Sequence, residues 1–371
     1  MKDTLAERLL AKVMGWNATE LTQERQDLQM LSEYKYDEYQ QFFPGMRFIE
    51  SLSLWLDQFK DSDKKIIAYN FMKSRIVFIS NAELNHLIRM AFPDMIKPFL
   101  IQQVANKHEE NPILIKKILK MKEFNVMLRQ SLFLGLSDGA RIDLFRRFSE
   151  LNHEQVYPTY LITEDKSESL LRELRADLKK IVADDSLQNE KFRIVFLIDD
   201  FSASGISYLR EEDGKLAGKI QKFDEQLTKK DSDIANLFDL NDLEICVVLY
   251  LATKRALNHI RKEAKKISEQ KKIKINVMAV QELEDSISLN EEDIRDFLTL
   301  MKKKFDKSII NEHYKKGRYD KPYLGFDECG LPLILSHNCP NNSLPILWHE
   351  SDDKSYRALF PRVQRFKVGK S

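Results

Sequence analysis

FLIDDFSASGIS, residues 196–207, decides the reading of this chain. With Val195 in front of it, Phe196-Leu197-Ile198 is the end of an apolar strand, and it runs directly into two acids, Asp199 and Asp200. These run in turn into a loop of small residues, Ser202, Ala203, Ser204, Gly205 and Ser207 among them. In an open α/β sheet, ligands sit beyond the carboxyl ends of the strands. Two carboxylates there can accept hydrogen bonds from vicinal hydroxyls such as those of a ribose. A small-residue loop lets the backbone turn tightly and aim several N–H groups into one hollow, which suits phosphate. Ser204 and Ser207 add hydroxyl donors, and Gly205 removes a side chain where a phosphate would crowd. The stretch is therefore expected to cradle a ribose 5-phosphate, sugar on the acids and phosphate on the loop. An Asp-Asp pair is also an ordinary turn or cap signal, and the choice rests on its surroundings.

Those surroundings alternate strand and helix. Ser131 to Leu136 is a short apolar run ending in Ser137-Asp138-Gly139-Ala140-Arg141. Val156 to Thr163, Arg193 to Ile198, Leu243 to Leu251 and Ile273 to Val280 read as further strands. Leu170, Leu171, Leu174, Leu178, Ile181 and Val182 share one helical face, as do Leu257, Ile260, Ala264 and Ile267. Strands apolar on both faces, separated by helices, predict a parallel, Rossmann-like sheet covered by helices. The first third reads as helical: Phe48, Leu52, Trp55, Leu56 and Phe59 recur at helical spacing, and Asn81 stands as an N-cap before the amphipathic run through Ile88 and Met90. The expected division is a helical domain over 1–125 and an α/β domain over 126–371, with a C-terminal extension from about 310. Within that extension, residues 325–348 read as strand, irregular loop, strand.

Composition narrows the class. The 371 residues are 43% hydrophobic and 32% charged, with a net charge of +1, so no global charge drives the chain to nucleic acid or membrane. Three cysteines form no disulfide framework, and the acids Asp3 and Glu7 interrupt what would be the apolar part of a signal peptide. No apolar run approaches the ~20 residues of a membrane span. A cytoplasmic protein is expected. His337, Cys339 and Cys329 invite a metal reading, but no C-x-x-C and no fourth ligand accompany them, so no metal is expected to be held by the protein alone. The lysine-rich stretches 262–274 and 302–307 read as solvated faces; the tail residues Arg357, Arg362, Arg365, Lys367 and Lys370 leave a nucleic-acid contact open.

Residues 195–207 resemble the ribose-phosphate signature of type I phosphoribosyltransferases: apolar residues, two acids, then a small-residue loop with Ser-Gly-x-Ser. The resemblance implies that the loop after the earlier strand, Ser137, Asp138, Gly139, Ala140 and Arg141, lines the pyrophosphate end of phosphoribosyl diphosphate or a related nucleotide. It also implies Mg2+ carried in by that ligand, and chemistry at C1′ with Asp199 and Asp200 at its centre. Residues 201–223 together with 324–348 look like a distinct branch, the phosphoribosyltransferase-like proteins of bacterial conflict and anti-phage defence systems. There a motif standing here as His337, Asn338, Pro340, Asn341, Asn342, Leu344, Pro345, Leu347 and Trp348 follows the catalytic-like domain. That loop is the expected hood over the site, with His337 as general acid or base and Asn338, Asn341 and Asn342 shaping it. Ala203 stands where characterised enzymes often carry an acid, which keeps two alternatives open. One is a non-catalytic nucleotide sensor signalling to a partner protein of a defence system; the other is a nucleic-acid-directed effector.

Overall fold

The computed structural model describes residues 3–182, 189–229, 232–289, 292, 294–351, 353 and 355–362. Its strands are β1 (Val77–Ile79), β2 (Ser131–Gly135), β3 (Val156–Tyr157), β4 (Ile194–Ser202), β5 (Arg210–Glu212), β6 (Lys215–Ala217), β7 (Glu244–Thr253), β8 (Lys274–Leu283) and β9 (Leu333–Leu335). The chain divides into two compact units, one of residues 84–285 and one of residues 1–83 with 286–371. The boundary expected at 125 falls inside the first of these, and the expected C-terminal extension belongs with the N-terminal helices.

The unit of residues 84–285 carries the predicted sheet. Five strands lie in the order β3-β2-β4-β7-β8, every neighbouring pair parallel. All five residues of β2 are buried, as are Ile194 to Asp199 of β4 and Ile245 to Thr253 of β7, which is why these segments read as unbroken apolar runs. Helix Glu164–Val182 connects β3 to β4, and helix Lys254–Lys271 connects β7 to β8. They put Leu170, Leu174 and Leu178, and Leu257, Ile260, Ala264 and Ile267, into one core with Leu132, Val195, Leu197 and Val247. The second helix starts at once because Thr253 caps it, its hydroxyl accepting from the Ala256 N–H at 3.0 Å. Strand β3 is only two residues long, shorter than the run at 156–163 suggests: Pro158 ends it, and its carbonyl lies 2.5 Å from where a Cβ on Gly135 would be. Earlier in the chain, helices Asn81–Met90 and Lys97–Lys107 are joined through a π-helical turn at Ala91–Ile96. Pro93 lies in that turn and has no N–H to give an α-helical ladder.

The other unit is built from both ends of the sequence. Helices Asp3–Met14, Ala18–Tyr34, Phe48–Asp57 and Ser62–Arg75 belong to it, together with the parallel pair β1–β9. Helix Asn81–Met90 is capped by Ser80, one residue before the expected Asn81: the Ser80 hydroxyl accepts from the Glu83 N–H at 3.1 Å, and the Glu83 carboxylate accepts from the Ser80 N–H at 2.7 Å. The Phe360 ring lies within 6.0 Å of five others, edge-on to Tyr36 and Tyr39, tilted to Phe78 and stacked on Phe42 and Phe48. The Trp55 indole donates to the Ile346 carbonyl at 2.8 Å, and Ser51 donates to the Leu359 carbonyl at 2.7 Å. Of the two strands expected over residues 325–348, the first is β9; the second apolar stretch, Pro345–Trp348, is a single helical turn, with proline in its first position where no N–H is needed.

Tyr39 fastens this unit. Its hydroxyl donates to the Pro361 carbonyl at 2.9 Å and accepts from the Cys339 N–H at 3.1 Å, all of it buried. Tyr39→Phe strands both partners and is expected to cost about 1–3 kcal/mol of unfolding free energy in denaturant titration. Tyr34→Phe, on an exposed ring, is expected to change nothing. Equal stability of the Tyr39 variant and wild type would show that the hydroxyl does not hold these segments.

Candidate functional site

The sheet delivers Asp199 and Asp200 at the carboxyl end of β4, where they were expected, and gives them different surroundings. Asp199 is 0% exposed. One of its oxygens, Oδ1, accepts from the Ser137 hydroxyl in a short bond and from the Asp200 N–H at 3.2 Å. The other, Oδ2, accepts from the Tyr208 hydroxyl at 2.5 Å and from Lys219 Nζ. Asp199 therefore answers to the protein's own donors. Asp200 is half-buried; its Oδ1 accepts from the Phe201 N–H at 2.8 Å. A Cβ on Gly139 would stand 2.4 Å from Asp200 Oδ2, so glycine lets the first loop lie against this carboxylate where it stands.

The two expected loops thus meet. Ser137 touches Asp199, Gly139 lies on Asp200, and Ala140 is fixed from below by the Tyr250 hydroxyl on its carbonyl at 2.7 Å. Arg141 takes a left-handed conformation, φ 42°, and the helix Ile142–Ser149 begins directly after it. Asp138 is exposed. In the second loop Ser202, Ala203, Ser204 and Gly205 are buried and Ser207 is exposed. Gly205 has φ 79°, and a Cβ there would lie 2.8 Å from the Ala256 carbonyl, so the turn requires glycine twice over. Thr253, the cap of the helix after β7, donates to the Ala203 carbonyl at 2.5 Å and pins the loop to the next strand. Among the described residues the buried Ser202 hydroxyl has no hydrogen-bond partner. The loop does not lead straight into a helix: the chain turns at Gly205–Tyr208, makes the β5–β6 hairpin, and only then starts helix Lys219–Thr228.

That detour brings back Tyr208 and Lys219, which the sequence reading did not single out. Lys219 Nζ also sits 5.0 Å from the centre of the Tyr208 ring. Their signal in the sequence is indirect: an aspartate ending an apolar strand needs a cation and a donor, and nothing in the spacing says which of the following lysines supplies it.

The expected hood residues belong to the other unit. There they hold a compact turn after β9. Asn338 and Leu335 exchange backbone hydrogen bonds of 3.0 and 3.1 Å, and the His337 carbonyl accepts from Gln41 at 3.0 Å. The Asn341 carbonyl accepts from the Phe326 N–H at 2.8 Å. The Asn342 amide donates to the Phe326 carbonyl at 3.0 Å and to Cys329 Sγ at 3.3 Å. Cys329 and Cys339 are buried, and burial pushes the Cys339 thiol up to about 12. Among the described residues no group of three or more His, Cys, Asp or Glu is placed to hold a metal ion. No described helix is long and apolar enough to cross a membrane. Arg365, Lys367 and Lys370 lie outside the described residues.

The electrostatics of the Asp199 cluster give a test. Burial pushes the Asp199 carboxyl above the ordinary aspartate range; Lys219 pulls it back and Asp200 pushes it further up. A group raised in the fold contributes its stability below its unfolded value and loses it as pH rises through the folded one. Lys219→Met raises Asp199 further, so the variant's deficit is expected to be largest at neutral pH, about 3 kcal/mol, and to shrink towards pH ~4. Urea unfolding across that pH range reads it, with Asp199→Asn/Lys219→Met expected to recover part of the neutral-pH loss. A deficit independent of pH would show that Lys219 does not act through the Asp199 charge.

Comparison with known proteins bears on the same loops. No curated protein and no solved structure is matched by this chain. The PRTase-CE family profile matches residues 52–362, which takes in both loops, the parallel sheet and the motif around His337. The chain belongs to the PRTase-CE family and is a phosphoribosyltransferase-like protein.

Proposed function

We propose that the loops after β2 and β4 hold the ribose-5-phosphate part of phosphoribosyl diphosphate or a related nucleotide. The observation that carries this reading is the meeting of loops 62 residues apart through Ser137 and Asp199, at the carboxyl ends of two adjacent parallel strands. Asp200, with a face towards solvent, is the carboxylate that accepts from the ribose hydroxyls. Asp199 works from behind it, fixing Ser137, Tyr208 and Lys219. The backbone of 203–207 with Ser204 and Ser207 meets the 5-phosphate, and Arg141 with the N–H groups of its loop meets the pyrophosphate. The buried Ser202 hydroxyl, without a hydrogen-bond partner among the described residues, gives the cradle one further polar atom.

Mg2+ fits as a cation brought by the ligand, with Asp200 and Asp138 the loop carboxylates available to it; when bound it neutralises the leaving pyrophosphate. The residues themselves orient C1′ and screen charge. A second reading, a nucleotide sensor that binds without reaction, is favoured by one observation. Asp199 is wholly engaged by the protein, and Ala203 supplies no acid, so Asp200 is the one half-buried carboxylate that the end of β4 offers. Service in an anti-phage defence system alongside a partner protein belongs to the same proposal, supported by the resemblance of the His337–Trp348 motif. So does a cytoplasmic setting, supported by three buried cysteines that form no disulfide.

Calorimetric titration with phosphoribosyl diphosphate tests the reading. Wild type is expected to bind in an Mg2+-dependent manner, and Asp200→Asn to bind about ten- to a hundredfold more weakly with its fold intact. Mass spectrometry of the ligand after long incubation then separates cleavage from binding alone. No binding by folded wild type would sink the cradle.

A further inference from the structure

The sheet has a second hollow at its opposite end. A cavity of about 280 Å³ opens at the amino ends of the strands, bordered by Gln130 before β2, Arg193 and Ile194 at the start of β4, Glu244 at the start of β7 and Lys274 at the start of β8. The Asp199 loop follows the carboxyl end of β4, so this cavity and the ribose-phosphate cradle lie at opposite ends of the same strand.

Its chemistry is mixed in a specific way. Glu244 is half-buried, and burial pushes its carboxyl upwards. Asn276 donates to it at 2.6 Å and Gln103 at 3.2 Å, both to Oε1. Among the described residues none donates to Oε2, which leaves one acceptor for an incoming N–H. Around it stand Lys107, Lys122 and Lys274, all exposed; the Lys274 charge draws the Glu244 carboxyl back down, and Lys107 and Lys122 have no ion-pair partner among the described residues. Of the other acids on the wall, Asp242 is taken by Arg193, and Glu123 is exposed. Val126, Met127, Val182 and Ile194 complete the lining with apolar surface.

A simple cation is repelled by the lysines, and a simple anion makes no use of the second Glu244 oxygen. A ligand that satisfies both carries an anionic group, N–H donors and a flat apolar body between them. The volume lies just below the usual range of small-molecule sites, which suits a mononucleotide better than a dinucleotide. We infer that this amino-end cavity binds a nucleoside monophosphate whose base carries an exocyclic amine, amine on Glu244, base against Val126 and Met127, phosphate on the lysines. The site is independent of the cradle at Asp200.

Cytidine monophosphate is the probe, titrated calorimetrically into the full chain. Binding is expected in wild type and, undiminished, in Asp200→Asn. The surface pair Lys107→Ala/Lys274→Ala is expected to weaken it at least about tenfold without touching the fold, and Val126→Trp, which fills the cavity, to abolish it. Within Asp200→Asn, cytidine and ribose 5-phosphate are each expected to bind far more weakly than the intact nucleotide. No binding by wild type at about 10 mM overturns the inference. So does binding that survives the lysine pair, and so does binding lost in Asp200→Asn, which would assign the nucleotide to the cradle. Since the lysines are exposed, a misfolded Val126→Trp leaves the outcome decided by the pair.

Discussion

A carboxylate with no contact with water stands where β4 ends, and the local architecture answers to it. Leaving an ionised Asp199 unpaired inside the protein costs several kcal/mol. The chain meets that cost from three directions: Ser137 from the loop after β2, Tyr208 from the turn after β4, and Lys219 from beyond the β5–β6 hairpin. Burial and the adjacent Asp199 hold the Tyr208 phenol far above its usual range, so it remains a donor. Two glycines make the convergence possible, Gly139 under Asp200 and Gly205 under the N-terminal turn of helix Lys254–Lys271. The loops are not free to drift apart, because the group that joins them has no solvent to fall back on.

The division of labour between neighbouring acids follows from strand geometry. Successive side chains of β4 point to opposite faces, so Asp199 and Asp200 cannot share one environment. Asp199 turns inward to the donors; Asp200 turns towards the loop of Ser137–Arg141 and towards solvent. A sequence reading that treats the pair as one unit gives both the same task, and the alternation of the strand separates them.

The sheet was legible because its evidence is local. Strands β2, β4 and β7 read as unbroken apolar runs since both faces are covered, and helices Glu164–Val182 and Lys254–Lys271 announce themselves through one apolar face each. The two small-residue loops were legible for the same reason. What periodicity does not carry is pairing across the sequence. Trp55 finds the Ile346 carbonyl 291 residues away, and β1 finds β9, through contacts that leave no mark in either segment alone. Hence the C-terminal stretch read as an appendage to the α/β domain belongs with the first helices, and in the turn at 338–342 the Asn342 amide goes to the Phe326 carbonyl and a buried sulfur. Lys219 was hidden differently, inside a charged segment where it looked like one solvated lysine among several.

A unit assembled from residues 1–83 and 286–371 also imposes an order of events on the ribosome. The intervening residues 84–285 form a continuous stretch with its own sheet and core. Phe48, Trp55 and Phe59, by contrast, are all but wholly buried in the finished molecule, and the indole partner at Ile346 is made nearly three hundred residues later. At ordinary elongation rates of roughly 5–20 residues per second, that interval is on the order of tens of seconds. For that time the aromatic faces of the first helices have been synthesised and their final covering has not. The nascent chain therefore carries uncovered apolar helix faces at its beginning for that time, and a truncated product ending after β8 holds a complete sheet and an incomplete helical array.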